Sequence, residues 1–192
     1  MNQFTVLPLF STPIYKNHLE FAIPDLSTIE WIPNQKNEIS KDQWILRRPE
    51  FGEINKLCYE VSCEYIYGIL GVKEEAHELM VTSSWLNRSL PGQSHHRHWH
   101  PNNLASGVMY LDADPDAGGE IVWLNDKKPR VNLERKEVSL WNAEHWVERP
   151  STGDCFMFPS ETDHWVEKNT GTKPRISLAW NVFVRGQFNA DI

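Results

Sequence analysis

Between Phe51 and Leu70 the apolar positions Ile54, Leu57, Cys58, Val61, Tyr65, Ile66 and Ile69 recur at steps of three and four. That period predicts an amphipathic helix, and Gly71 is placed to end it. Upstream, short apolar runs are broken by Pro8, Pro13, Pro24 and Pro33. This predicts an edge strand around Leu9 to Tyr15, followed by an irregular arm. Downstream of the helix the texture changes to short β-branched and aromatic runs separated by Pro, Gly, Asn and Asp. Strands are predicted at Leu79 to Leu86, Ser106 to Leu111, Glu120 to Leu124, Val138 to Trp141, Cys155 to Phe158 and Arg175 to Val184. Several short strands with one helix predict a β-dominated α+β protein, a sandwich, jelly roll or barrel with the helix against the outside of one sheet.

A length of 192 residues suits one domain spanning 1–192, and 40% hydrophobic residues can fill a sizeable core. The formal charge of −7 argues against a phosphate-binding surface, and so against nucleic acid as a partner, but leaves room for a local basic pocket. No apolar run approaches the roughly 20 residues of a membrane span. The first residues lack the basic start and long apolar stretch of a signal peptide. Three cysteines, Cys58, Cys63 and Cys155, cannot all pair, so reduced thiols in a cytoplasmic protein are expected.

The composition holds nine tryptophans and eight histidines. Four of those histidines, His95, His96, His98 and His100, fall within six positions. In an extended chain His96, His98 and His100 share one face, while His95, Arg97 and Trp99 share the other. Imidazoles two apart can hold one transition metal, with iron, zinc, copper and nickel all suited. A third ligand has to come from elsewhere, and His164, just past a turn beside the buried strand Cys155 to Phe158, is well placed. His18, His77 and His145 lack such a setting. In the last strand Arg175, Ser177 and Ala179 share a face. An inward Arg in an apolar strand calls for an anion, either the carboxylate of a ligand, to which Ser177 could add a hydrogen bond, or an internal Asp or Glu.

These motifs resemble a known family. The chain has Trp85-Leu-Asn87, Gly92 with His95 and His98-Trp-His100-Pro, Ser106-Gly-Val-Met-Tyr110 and Gly119-Glu120. It continues with the Gly153 to His164 segment containing Phe158-Pro-Ser and with Arg175-Ile-Ser177…Asn181. From about Val81 to Asn181 this is similar to the 2-oxoglutarate- and Fe(II)-dependent oxygenases of phages and bacteria. The resemblance implies a double-stranded β-helix (jelly roll) core at 79–185, with residues 1–78 forming an N-terminal arm and supporting helix. It also implies Fe(II) and 2-oxoglutarate as cofactor and cosubstrate, O2 as oxidant, and decarboxylation of 2-oxoglutarate coupled to hydroxylation of a small-molecule or peptidyl substrate. By resemblance His98, His100 and His164 hold the metal, with His96 as a spare on the same face. Arg175 and Ser177 bind the far carboxylate of the cosubstrate, helped by Tyr110, and Asn87 faces the pocket or satisfies backbone groups. His100 stands where the wider superfamily has an aspartate, so Asp112, Asp114, Asp116 or Glu120 is an alternative oxygen ligand. Trp99, Trp123, Trp165 and Trp180 are expected to wall the jelly roll. Rival readings are a cupin-like dioxygenase or isomerase that does not use 2-oxoglutarate, and a non-catalytic binding module on the same fold.

Overall fold

The computed structural model describes residues 5–125 and 133–188. In chain order the strands are β1 Tyr15–His18, β2 Trp31–Asn34 and β3 Asn37–Ser40, then helix α1 Gly52–Cys63. They continue with β4 His77–Ser89, β5 His95–His98, β6 Ala105–Asp112, β7 Ile121–Leu124, β8 His145–Glu148, β9 Asp154–Pro159, β10 His164–Val166 and β11 Arg175–Gly186. They form a seven-stranded sheet in the order β1-β9-β6-β11-β4-β3-β2 and a four-stranded sheet in the order β5-β10-β7-β8. Every pairing between named strands is antiparallel.

The large sheet is the middle of three layers, and the two-residue period of its strands sorts the side chains between its faces. Ala105, Met109 and Leu111 of β6, Cys155 and Met157 of β9, and Leu178, Trp180 and Val182 of β11 pack with Ile54, Cys58, Val61, Tyr65 and Ile66 of the helical segment. The alternate residues Val108, Tyr110, Phe156 and Phe158 meet Ile121 and Trp123 of the small sheet. Gly107 leaves space for the indole of Trp180: a Cβ there would lie 2.2 Å from Cζ2. That indole is fully buried, and its Nε1 donates to Ser62 Oγ of α1 at 3.0 Å.

Several sequence expectations are corrected. The predicted edge strand at Leu9 to Tyr15 forms only from Tyr15 onward, because Leu9 and Phe10 occupy a turn in which Phe10 takes φ 58°. Val138 to Trp141 is not a strand. Ser139 starts a turn there, its amide N–H donating to Asn142 Oδ1 and its carbonyl accepting from the Asn142 and Ala143 amides. The strand β8 follows that turn. The helix starts from two 3-10 turns, Ile45–Arg47 and Pro49–Phe51, and widens into a π-helical turn at Glu64–Ile69. The wider turn shifts the apolar stripe, so Ile69 is exposed although the period places it inward. Gly71 follows at φ 68°. The hairpin β2–β3 turns through Gln35 at φ 52° and joins the edge of β4. Its Lys36 carbonyl accepts from the Ser94 amide at 3.3 Å, which ties the large sheet to the chain entering β5. Among the described residues no helix is long and apolar enough to cross a membrane.

Candidate functional site

Strands β5 and β10 are neighbours in the small sheet, with His98 opposite His164. One ring nitrogen from each of His98, His100 and His164 falls in a group whose members all lie within 4.8 Å of one another. Ring centroids are 4.3 Å apart for His98 and His164, and 5.2 Å for His100 and His164. The Nδ1 atoms of His98 and His164 lie 2.8 Å and 2.9 Å from the carbonyls of His96 and Thr162. A carbonyl only accepts, so each Nδ1 carries the proton and each Nε2 keeps a free lone pair. Burial, reinforced by the neighbouring His98, pulls His100 down to about 3 and His164 well below the ordinary imidazole value; burial also lowers His98. At neutral pH the cluster is therefore uncharged and its lone pairs converge, a donor set suited to a divalent transition metal.

The turn that carries His164 is tied to His100. Ser160 accepts at its carbonyl from the His100 amide at 2.9 Å, and its hydroxyl lies 2.8 Å from Ser106 Oγ, which donates to Asn181 Oδ1 at 2.8 Å. The Phe158-Pro-Ser160 motif thus fixes the geometry between two of the histidines.

The face alternation expected for the histidine run does not hold. From His98 to His95 the chain of β5 spans three steps, while β10 spans two from His164 to Val166, so β5 carries an extra residue. Such a bulge turns the residues beyond it. His95, assigned by alternation to the opposite face, instead stacks on His98 at 4.3 Å and lines the cavity with His98 and His100, whereas His96 does not. Asn34 Nδ2 lies 3.3 Å from His95 Nε2 and can only donate, so that nitrogen accepts a hydrogen bond. His95, His96 and His98 form a second group of nitrogens within 4.8 Å. The alternative oxygen ligands lie apart. Asp112, Asp114 and Asp116 are exposed, Glu120 pairs with Arg149 at 3.4 Å, and among the described residues no carboxylate joins either histidine group. Of the four tryptophans expected to wall the fold, Trp123 and Trp180 are buried and Trp165 half-buried, but Trp99 is 52% exposed.

Next to the histidines, three adjacent strands present a row of polar side chains inward. Ser177 of β11 is opposite Asn87 of β4 on one side and Tyr110 of β6 on the other, and Arg175 is opposite Ser89. All five are buried. The Arg175 guanidinium sits 4.6 Å from the Tyr110 ring centroid. Its Nε and Nη2, and the Tyr110 hydroxyl, have no hydrogen-bond partner among the described residues. The internal ion pair that could have satisfied Arg175 is absent among those residues, so a buried charge and three buried polar atoms stand ready for an anionic guest. Burial pushes the Tyr110 hydroxyl up to about 12 against the opposing pull of Arg175, so it remains a donor. Gly119, at φ 73°, cradles the Arg175 stem; a Cβ there would lie 2.7 Å from Cδ. Asn87 Oδ1 accepts from Trp85 Nε1 at 3.3 Å. Arg175, Ser177, Tyr110, Asn87 and Ser89, with His95, His98, His100, His164 and Asn37, line one cavity with about 30 Å³ of free space, so a guest larger than a water or two needs wall side chains to rotate. His95 and Asn37 were not legible as cavity residues. The first was hidden by the bulge, and the second lies on a strand the sequence did not predict.

Residues 83–181, 99 of the 192, match the family model described as "Putative 2OG-Fe(II) oxygenase". Among solved structures, the chain is similar to an oxidoreductase of the 2OG-Fe(II) oxygenase family from Burkholderia pseudomallei. The TM-score is 0.58 at 18% identity, with 81% of this chain and 72% of the other covered. It is also similar to a prolyl-4-hydroxylase from Pseudomonas putida, at TM-score 0.55 and 18% identity over 82% and 79% of the two chains. A third is HygX from Streptomyces hygroscopicus with nickel and 2-oxoglutarate bound, at TM-score 0.55 and 11% identity over 85% and 76%. These likenesses show a shared fold. No curated protein matches the sequence.

Proposed function

The chain belongs to the 2OG-Fe(II) oxygenase family and is an Fe(II)- and 2-oxoglutarate-dependent dioxygenase, and from that premise we propose that it is a hydroxylase of the H-x-H-P type on a jelly-roll core. The observation that carries this reading is the pairing of two features in one cavity: three converging neutral histidines and a buried Arg175 without an anionic partner among the described residues. Two packed antiparallel sheets support the jelly roll, with 79–185 as its core and 1–78 as the arm and supporting helix of a single domain. Three unpaired cysteines support a cytoplasmic setting, and the −7 charge favours a small-molecule or peptidyl substrate over nucleic acid.

In this reading His98, His100 and His164 hold Fe(II) through ring nitrogens that need no deprotonation at neutral pH. Arg175 holds the far carboxylate of 2-oxoglutarate, with hydrogen bonds donated by Ser177 Oγ and Tyr110 Oη. Asn87, beside Ser177, lines the same wall. Bound together, Fe(II) and 2-oxoglutarate supply the oxidising chemistry, in which O2 is reduced, 2-oxoglutarate is converted to succinate and CO2, and a substrate C–H becomes C–OH. The protein orients the cosubstrate and keeps water out, and Val108, Ile121, Phe158 and Ala179 form the apolar part of the cavity wall.

The test is succinate formation from 2-oxoglutarate with Fe(II) in air. Wild-type protein is expected to form succinate, and Arg175→Ala to lose most of that turnover while keeping its metal. The all-histidine cluster favours a second reading, a cupin-like metal-dependent dioxygenase or isomerase that does not use 2-oxoglutarate. Metal-dependent chemistry untouched by Arg175→Ala would establish it instead.

A further inference from the structure

Strand β3 contributes a buried amide to the same cavity from outside the family-matched residues 83–181. Asn37 is 3% exposed and lines the cavity alongside Arg175, Ser89 and His98. Its orientation is set by Asn34 across the hairpin, whose Nδ2 donates to Asn37 Oδ1 at 3.0 Å. The oxygen of the amide is therefore engaged, and the Nδ2 end has no partner among the described residues. Asn34 is itself held from the other side, because the same Nδ2 reaches His95 Nε2 at 3.3 Å. One amino group thus uses one hydrogen on Asn37 and the other on the histidine wall.

The strand register places this amide relative to Arg175. Ile39 of β3 is opposite Asn87 of β4, so Asn37, two residues away, shares that face and falls level with Ser89. Ser89 is in turn opposite Arg175 of β11. Asn37, Ser89 and Arg175 therefore form one inward row across three neighbouring strands, and all three line the same cavity. A carboxylate has more acceptor sites than one guanidinium fork can fill. A buried N–H without an acceptor is rare in native structures, and here it belongs to a residue lining the cavity that also holds the buried Arg175.

We infer that Asn37 is a cosubstrate-binding residue whose side-chain N–H donates to the distal carboxylate of 2-oxoglutarate beside Arg175. This rests on the 2-oxoglutarate reading above. It gives the hairpin β2–β3 a role in selecting a dicarboxylic 2-oxo acid over a monocarboxylic one.

The experiment is anaerobic calorimetric titration of Mn(II)-loaded full-length protein with 2-oxoglutarate and with 2-oxobutyrate, which lacks the distal carboxylate. Asn37→Ala is expected to raise the Kd for 2-oxoglutarate by about ten- to 150-fold, the range for losing a hydrogen bond to a charged group. The Kd values for Mn(II) and for 2-oxobutyrate should stay within about two-fold of wild type. Asn37→Asp preserves the shape and the acceptor for Asn34 but puts a like charge near the carboxylate. It should weaken 2-oxoglutarate binding further, and it carries the test if the alanine variant does not fold by thermal melt. A 2-oxoglutarate Kd unchanged within about two-fold in the folded variant overturns the inference. Equal losses for both acids overturn it too, by moving the contact to the metal end. Wild-type protein that binds Mn(II) but not 2-oxoglutarate overturns the functional reading and this inference with it, and that pattern is distinct because no variant is needed to see it.

Discussion

Gly119→Ala tests the Arg175 pocket without removing a polar atom. The added Cβ would lie 2.7 Å from Arg175 Cδ and 3.0 Å from Nε. Carbon atoms rest at about 3.5–4.0 Å, so the Arg stem has to retreat by about 1 Å. Hydrogen bonds from nitrogen to oxygen span only about 2.7–3.2 Å, so a shift of that size removes at least one bond from the guanidinium to a carboxylate guest. A bond to a charged group is worth about 1.5–3 kcal/mol, which corresponds to roughly a ten- to 150-fold rise in the Kd for 2-oxoglutarate. The left-handed backbone at φ 73° costs a non-glycine residue about 1–2 kcal/mol more, lowering Tm by roughly 2–8 °C in a chain of this size. The assays are a thermal melt and anaerobic titration of 2-oxoglutarate into the metal-loaded protein, with metal affinity measured in parallel. A drop in Tm with the Kd for 2-oxoglutarate unchanged would refute the reasoning, because Arg175 would then be a structural residue that the ligand does not use.

Further outcomes follow from the same geometry. His164→Ala should bring the metal content of untagged protein close to zero, whereas His95→Ala, whose Nε2 already accepts from Asn34, should retain about one metal per chain by elemental analysis. With His100 held at about 3 and His164 well below its ordinary value by burial, neither should release a proton when metal binds at pH 6, so the total should fall well short of the roughly two protons that three ordinary imidazoles would give up; calorimetry in two buffers of different ionisation enthalpy measures this. The depressed values also set a sign for stability. Above about pH 6.5 imidazoles are neutral in both folded and unfolded chains, but below it the unfolded chain takes up protons that the buried cluster refuses. Metal-free protein should therefore lose up to about 1.4 kcal/mol per pH unit for each such histidine as the pH falls, seen as a falling denaturation midpoint. Gly107→Ala drives a methyl into the fully buried Trp180 indole and should cost about 3 kcal/mol or more, read as insoluble protein or a large loss in the urea midpoint.

The sequence was most legible where burial imposes a simple period. Strand β11 alternates between the helix-facing Leu178, Trp180 and Val182 and the inward Arg175, Ser177 and Ala179, as a period of two requires. The helix was visible down to its closing glycine, but not the π-helical turn that displaces Ile69, because a change of pitch leaves no mark in residue type. The apolar run Val138 to Trp141 resembles a strand, yet Ser139 and Asn142 offer the backbone a turn with its own hydrogen bonds. His98, His100 and His164 stood out by number and spacing. His95 did not, because the bulge that turns it inward depends on the partner strand β10. Asn37 lies on a short strand rich in polar residues whose inward face is fixed only by its register with β4.

The most direct test of the central claim is the visible spectrum of anaerobic, Fe(II)-loaded protein on addition of 2-oxoglutarate. A cosubstrate chelating the metal held by His98, His100 and His164, with its far end on Arg175, predicts a metal-to-ligand charge-transfer band that saturates at one equivalent. The band should be abolished in His164→Ala and should need far higher 2-oxoglutarate in Arg175→Ala. Folded wild-type protein that retains Fe(II) and shows no band at any 2-oxoglutarate concentration would contradict it.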